Sequence, residues 1–120
     1  MGAAVVPDCS RMLHLRFESR NGSLIVTPLA VRLDAECAFE LRTRVADQAW
    51  GRRRVVVLLE HVTSIDGSAL AALISILKAM DAGAELRLAH ASPSVRALLA
   101  RTRLDELFPQ FEDTAAAIGE

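Results

Sequence analysis

Cysteine is scarce in this sequence, and the positions of its two cysteines exclude the sites that cysteines usually build. Cys9 and Cys37 form no CxxC pair and have no histidine at metal-ligand spacing. We therefore expect neither a disulfide framework nor a zinc site, and this usage fits a reducing compartment.

Long apolar runs and a strong net charge are also missing. The N-terminal segment has neither a basic start nor an apolar run of signal-peptide length, and no stretch reaches the roughly 18 apolar residues of a membrane span. Fourteen basic and fifteen acidic residues give a net charge of -1, which provides no global attraction to nucleic acid or to an anionic membrane. We expect a cytoplasmic protein that neither binds nucleic acid directly nor inserts into a membrane.

Motifs for cofactors and catalysis are absent from the sequence as well. No G-x-G-x-x-G or Walker sequence is present, so we expect no bound nucleotide, no other cofactor and no metal. His61, Asp66 and Ser68 supply the residue types of a hydrolase, but no Gly-x-Ser-x-Gly elbow surrounds the serine. The sequence therefore does not predict an enzyme.

The composition that remains is that of one compact domain. The 120 residues are 52% hydrophobic and 24% charged, which favours a folded core over disorder. Residues 1–10 show no clear hydrophobic period, so we expect a flexible tail there and the domain in residues 11–120.

The first half of the chain predicts a hairpin followed by a helix. Two β-type segments, residues 13–17 and 23–28, flank an Asn-Gly dipeptide, which is typical of tight hairpin turns. Asp34 is placed to cap a helix that ends at Gly51. Apolar residues at spacings of three and four give the buried face of this helix: Ala38, Leu41, Val45 and Ala49.

The second half predicts alternating strands and helices. Residues 55–59 are a continuous run of valine and leucine, typical of a central strand covered on both faces. A helix is predicted over residues 68–80, a strand over residues 85–89, and further helices after Ser92 and Asp113. This order gives an α/β fold: an opening hairpin, a mixed sheet with parallel inner strands joined by right-handed crossovers, and about four helices.

An apolar strand, a polar turn and the start of a helix follow one another between residues 55 and 70. The turn and helix start read Asp66, Gly67, Ser68, Ala69 and Leu70. This segment resembles the STAS domain of bacterial anti-sigma factor antagonists, in which an Asp-Ser-Ser-Gly-Leu element opens a helix. Weaker similarities in the same order extend the resemblance over residues 13–119, including a Leu-Asp helix start that matches residues 33–34.

The resemblance implies a single STAS-like domain that binds a partner and catalyses nothing. Ser68 matches the serine that is phosphorylated in the family. The implied function is that of an anti-sigma factor antagonist, which binds an anti-sigma factor serine kinase in a partner switch regulated by that phosphorylation. The implied partner-binding residues are Asp34, Asp66, Gly67, Ser68, Ala69 and Leu70. Pairing of the chain with itself stays open.

Departures from the family pattern keep two alternatives open. Gly67 replaces the first serine, Ala69 replaces the glycine, and Leu58 stands where many members carry an aspartate. In one alternative, Ser68 is only the N-cap of the helix, Asp66 forms a turn, and Gly67 relieves backbone strain. In the other, the chain is a STAS docking subunit of a membrane transporter or lipid-trafficking complex, which needs no phosphorylation.

Two further features concern possible contact surfaces. The helix that starts at Ser68 has no charged residue among its first nine residues, which favours burial on several sides over an exposed contact patch. Trp50, at the end of the first helix, can anchor an interface, but packing onto the edge of the domain is the commoner arrangement. We therefore expect Trp50 to pack there and assign it no function.

Overall fold

The structure is a computed structural model that describes residues 13–120, so the predicted tail at residues 1–10 lies outside the described residues. Within residues 13–120, five strands form one mixed sheet, and β3 (Arg32–Leu33) and β5 (Ser64–Ile65) form a separate two-stranded sheet. The strands of the main sheet are, in spatial order, β1 (Leu15–Arg20), β2 (Ser23–Pro28), β4 (Arg54–Leu58), β6 (Glu85–Ala89) and β7 (Gln110–Phe111). β1 and β2 are antiparallel, and the other neighbours are parallel. The α/β class, the mixed sheet and the central position of β4 are confirmed.

The turn between β1 and β2 follows from its two residues. Asn21 has a φ of 53° and Gly22 a φ of 80°, and positive φ at both central residues is the requirement of the hairpin turns that match strand twist. The Asn21 side chain donates to the Ile118 carbonyl oxygen at 2.8 Å. The predicted opening hairpin is therefore present, and its turn is also tied to the C-terminal end of the chain.

Four α-helices lie in the described part of the chain: α1 (Ala35–Ala49), α2 (Gly67–Ala79), α3 (Pro93–Arg101) and α4 (Thr114–Ile118). Asp34, Ser92 and Asp113 cap α1, α3 and α4 as predicted, each by accepting a hydrogen bond from a backbone N–H of the first turn. After α1, Gly51 adopts a φ of 79°, a left-handed conformation that ends a helix at low cost in glycine. No helix in residues 13–120 has the length and apolar character needed to cross a membrane.

The helices cover both faces of the sheet unequally. α1, α2 and α3 pack on one face, against the inward side chains Leu24, Val26, Val55, Val57, Leu86 and Leu88. Alternate residues of a strand point to opposite faces, and Ile25, Val56 and Leu58 pack on the other face with Ala117 and Ile118 of α4. Leu58, where many family members carry an aspartate, is thus part of this smaller second core.

Candidate functional site

A second, two-stranded sheet brings the starts of α1 and α2 together. β3 (Arg32–Leu33) and β5 (Ser64–Ile65) are parallel and in register, with Leu33 opposite Ile65. Asp34 and Asp66 follow these two residues directly, and the Asp66 N–H donates to the Leu33 carbonyl oxygen at 3.1 Å. The two predicted acidic residues therefore lie at neighbouring positions, each directly after a paired strand.

Asp66, not Ser68, is the N-cap of α2. Its Oδ1 accepts a hydrogen bond from the Ala69 N–H at 3.1 Å, and its carbonyl oxygen accepts from the Leu70 N–H at 3.1 Å. The alternative in which Ser68 caps the helix is therefore wrong, because Asp66 already satisfies the N–H group that a cap would serve. α2 accordingly begins at Gly67, one residue earlier than predicted.

Asp34 caps α1 in the same way. Its Oδ1 accepts from the Glu36 N–H at 3.1 Å, and its own N–H donates to Cys37 Sγ at 3.3 Å. The two carboxylates are thus held by backbone groups at neighbouring helix starts, where the helix dipoles favour negative charge.

The backbone conformation at residue 67 does not require a glycine. The φ of Gly67 lies outside the left-handed region, and a Cβ built on it would meet no atom within 4 Å. The expectation that Gly67 relieves strain is therefore wrong. The Cβ of the serine that the resemblance puts at this position would therefore have room.

Ser68 is the second residue of α2, and its side chain is exposed. Within residues 13–120 its hydroxyl has no hydrogen-bond partner, so it is accessible to an enzyme. It borders a shallow depression of about 250 Å³ between α1 and α2, which Phe39, Arg42, Ala71 and Ser75 also line. The hydroxyl therefore lies on the first turn of α2, beside the Asp66 carboxylate that caps this helix.

Ala69 and Leu70 lie inward from Ser68. Their side chains are 0% and 4% exposed and belong to the main core, together with Leu73 and Ile76 of the same helix. Their contribution to the site is to fix the first turn of α2 on the sheet. Of the predicted partner-binding residues, Asp66, Gly67 and Ser68 are exposed and Asp34 is half-buried.

The residue types of a hydrolase are not assembled into a triad. His61 Nε2 lies 3.3 Å from Glu60 Oε2, and the other nearby imidazole, His90, lies 3.9 Å from Glu60. No hydrogen bond joins His61 to Ser68 or Asp66 in residues 13–120. The same residues contain no cluster of three side chains able to hold a metal ion.

The family model of the STAS domain matches residues 16–117. The chain belongs to the STAS domain family. The match spans the main sheet, the short β3–β5 sheet and nearly all of α4, so it includes the paired helix starts with Asp34, Asp66 and Ser68.

Solved structures share this STAS fold at low sequence identity. An anti-sigma-factor antagonist STAS domain protein from Planctomyces limnophilus is 19% identical, with a TM-score of 0.78 over 89% of this chain and 96% of that one. An anti-sigma factor antagonist from Mycobacterium paratuberculosis is 18% identical, with a TM-score of 0.77 over 90% and 92%. The phosphorylated form of the Bacillus cell fate determinant SpoIIAA is 15% identical, with a TM-score of 0.63 over 86% and 94%. No curated protein matches the chain.

Several residues around the STAS helix starts were not predicted from sequence. Ser94 Oγ of α3 donates to the Thr63 carbonyl oxygen at 2.9 Å and so holds the segment before β5, a contact without any sequence signal. Phe39 is 66% exposed and lines the depression beside Ser68. A signal for Phe39 did exist, because it is an aromatic residue outside the buried face of α1.

Two expectations about exposed surface are not met, one for the outer side of α2 and one for Trp50. α2 is buried along one side, but Ser68, Ala71 and Ser75 form an exposed stripe along the other. Trp50 is 84% exposed, so the expectation that it packs onto the edge of the domain is wrong.

Proposed function

We propose that this STAS domain is an anti-sigma factor antagonist that binds an anti-sigma factor serine kinase, and that phosphorylation of Ser68 switches the binding off. The observation that carries the proposal is the exposed Ser68 hydroxyl on the first turn of α2. The resemblance to the family aligns this serine with the one that is phosphorylated. In this role the protein acts in the cytoplasm by binding and catalyses nothing itself.

The solved structures with this fold support the proposal. Two of those described above are named as anti-sigma factor antagonists, and SpoIIAA has been solved in a phosphorylated form. This chain shares their fold, and its own residues supply the accessible hydroxyl. The departures in sequence do not block it, because Gly67 leaves open space and Ala69 points into the core.

The charges at the helix starts explain how such a switch works. Asp34 and Asp66 already place two carboxylates beside the α2 N-terminus. A phosphate on Ser68 adds about -1.5 to -2 charges, and the unpaired N–H groups of the first turn of α2 can partly accommodate it. A partner surface that accepts the unmodified site then faces a strongly hydrated cluster of negative charge. We therefore expect the affinity to fall by at least about tenfold, which corresponds to roughly 1.4 kcal/mol.

A kinase assay on Ser68 tests the proposal. Incubation of the purified protein with its cognate serine kinase and ATP should add one phosphate, detected by intact-mass spectrometry, and Ser68→Ala should abolish the addition. Ser75→Ala is the matched control, because Ser75 is an exposed serine two turns further along α2 and lines the same depression. The proposal is contradicted if Ser68→Ala still takes up the phosphate. It is also contradicted if Ser75→Ala is the only variant that fails to take it up.

Affinity capture from the native cell separates this role from that of a transporter subunit. Recovery of an ATP-binding serine kinase, with less recovered by Ser68→Asp than by Ser75→Asp, supports the antagonist. Recovery of a transporter ATPase, unaffected by Ser68→Asp, would favour a docking subunit of a membrane transporter and contradict the switch.

A further inference from the structure

Two exposed aromatic side chains lie on the outward side of α1, one within the helix and one on its C-cap residue, Trp50. Phe39 is 66% exposed and Trp50 is 84% exposed, and they are the two most exposed large hydrophobic residues in the described chain. Thr43 and Ala46 lie between them and are half-buried. The core-facing residues Cys37, Leu41, Val45 and Ala49 lie on the other side of the helix. This face therefore leaves aromatic surface in water on a helix whose inner side is already packed.

The spacing of these four residues is that of a helix-pairing seam. Phe39, Thr43, Ala46 and Trp50 follow one another at intervals of four, three and four residues. Such intervals keep side chains on one stripe along a helix and are the a and d spacing of paired helices. The two small residues in the middle allow a second helix to approach between the two aromatic side chains. We call the stripe Phe39, Thr43, Ala46 and Trp50 the α1 seam.

Two opposite charges flank the α1 seam on its two sides. Arg42 and Asp47 are both exposed and five residues apart, and neither has an ion-pair partner in residues 13–120. The Arg42 guanidinium lies 5.2 Å from the centroid of the Phe39 ring, so it already covers one end of the α1 seam. When two copies of such a helix run parallel about a two-fold axis, a residue on the Arg42 flank of one helix faces the opposite flank of the other helix. The residue that it meets there lies five positions further along the sequence. Arg42 of one copy then meets Asp47 of the second copy, and the contact occurs twice.

An antiparallel pairing does not satisfy these charges. It would bring the same flank of both helices together, so that Arg42 would face the arginine-bearing flank of the second copy and could not reach its Asp47. Both charges would then stay unpaired, whereas the parallel arrangement pairs them. The two charges are therefore self-complementary in the parallel arrangement, which favours a second copy in that orientation as the occupant of this face.

A depression beside the α1 seam offers room for a side chain of the second copy. It measures about 470 Å³ and is lined by Trp50, Ala46 and the two flanking charges on α1, and by Ser75 and Ala79 on α2. The small residues Ala46, Ser75 and Ala79 leave the opening wide. In the parallel arrangement, Trp50 of the second copy lies at the same level as this depression and can insert into it.

We propose that the protein forms a two-fold symmetric homodimer in which the α1 seams of two copies pack in parallel, with Arg42 paired to Asp47 of the second copy. A stable interface commonly buries about 800 Å² on each partner, which is more than the face of one four-turn helix supplies. The dimer is therefore weak, with a dissociation constant in the micromolar range, roughly 1 to 100 µM. The proposal does not depend on phosphorylation of Ser68 or on any other partner.

Sedimentation velocity on the purified, unphosphorylated full chain tests the proposal, with loading concentrations from about 1 to about 500 µM. The expected result is a concentration-dependent shift from monomer to dimer. Phe39→Lys and Trp50→Lys should each raise the dissociation constant at least tenfold. Leu107→Lys is the matched control, because Leu107 is 42% exposed, lies outside the α1 seam and should leave the dimer unchanged. All these positions are exposed, so circular dichroism should show native folding in every variant.

Reversal of the flanking charges tests the orientation. Arg42→Glu alone places a carboxylate beside Asp47 of the second copy and should raise the dissociation constant severalfold. Adding Asp47→Lys to Arg42→Glu should restore it to within about threefold of the starting value. Trp50 is the only tryptophan in the sequence, so its fluorescence emission should move to shorter wavelength as the dimer forms.

Three results would overturn the proposal. A monomer at every concentration would exclude the dimer. A dimer that persists equally in Trp50→Lys and Leu107→Lys would place the interface on another surface. A dimer weakened by the aromatic substitutions, but no better in the double charge reversal than in Arg42→Glu alone, would exclude the parallel pairing.

Discussion

The N-cap of α2 gives the sharpest stability prediction for the site. Asp66 Oδ1 accepts the Ala69 N–H at 3.1 Å, and Ala69 is fully buried, so Asp66→Ala leaves this N–H without its acceptor. Removal of an N-cap side chain costs about 1 kcal/mol. Loss of the negative charge beside the helix N-terminus adds about 0.3 kcal/mol, the low end of the usual range, because Asp66 is exposed and its charge is screened. We therefore expect Asp66→Ala to lower the free energy of unfolding by about 1 to 2 kcal/mol.

A second substitution separates the hydrogen bond from the charge. Asp66→Asn keeps an oxygen acceptor and removes the charge, so it should lower the free energy of unfolding by only about 0.3 to 0.5 kcal/mol. Urea unfolding, followed by circular dichroism, measures both changes as a shift in midpoint at constant slope. Glu112→Ala is the control, because Glu112 is an exposed acidic residue outside any cap, and a change within about 0.5 kcal/mol is expected.

Two outcomes would refute this reasoning. If Asp66→Ala were as stable as the parent protein, the capping bond would contribute nothing to the fold. If Asp66→Asn lost as much stability as Asp66→Ala, the charge and not the hydrogen bond would hold the first turn.

Three other predictions concern packing. Leu73→Ala should lower the free energy of unfolding by about 2 to 5 kcal/mol in urea, because Leu73 is fully buried between α2 and the sheet. Arg87→Ala should cost about 1 to 2 kcal/mol and speed amide exchange in α4, because Arg87 donates to the Ala117 carbonyl oxygen at 2.8 Å and lies 4.9 Å from the Phe111 ring centroid. Phe39→Ala should change the midpoint by no more than about 0.5 kcal/mol at low protein concentration, because the ring is mostly exposed. A large loss in Phe39→Ala, or none in Leu73→Ala, would contradict the burial that these predictions rest on.

Much of the fold is predictable from the sequence because local signals agree with the tertiary structure. The valine and leucine run at residues 55–59 requires cover on both faces, and β4 lies in the middle of the sheet. The Asn-Gly dipeptide has few alternatives to a tight hairpin turn. Asp34 combines a capping side chain with a following apolar period, and both point to the same helix start.

The arrangement of the site is less predictable, because it depends on contacts between distant segments. β3 and β5 have two residues each, too few for a period, yet their pairing brings Asp34 beside Asp66. Asp66 and Ser68 both have capping side chains two residues apart, so composition alone does not decide which of them caps α2. The exposure of Trp50 depends on the position of α1 against α2, which no pattern within α1 specifies.

The most direct test of the proposed switch is the affinity of the purified cognate anti-sigma factor kinase for three forms of the protein, measured by isothermal titration calorimetry. The parent chain and Ser75→Glu should bind alike, because a negative charge two turns along α2 lies away from the paired helix starts. Ser68→Glu should bind at least about tenfold more weakly, a loss of roughly 1.4 kcal/mol. Equal affinity for Ser68→Glu and Ser75→Glu would contradict a switch at Ser68.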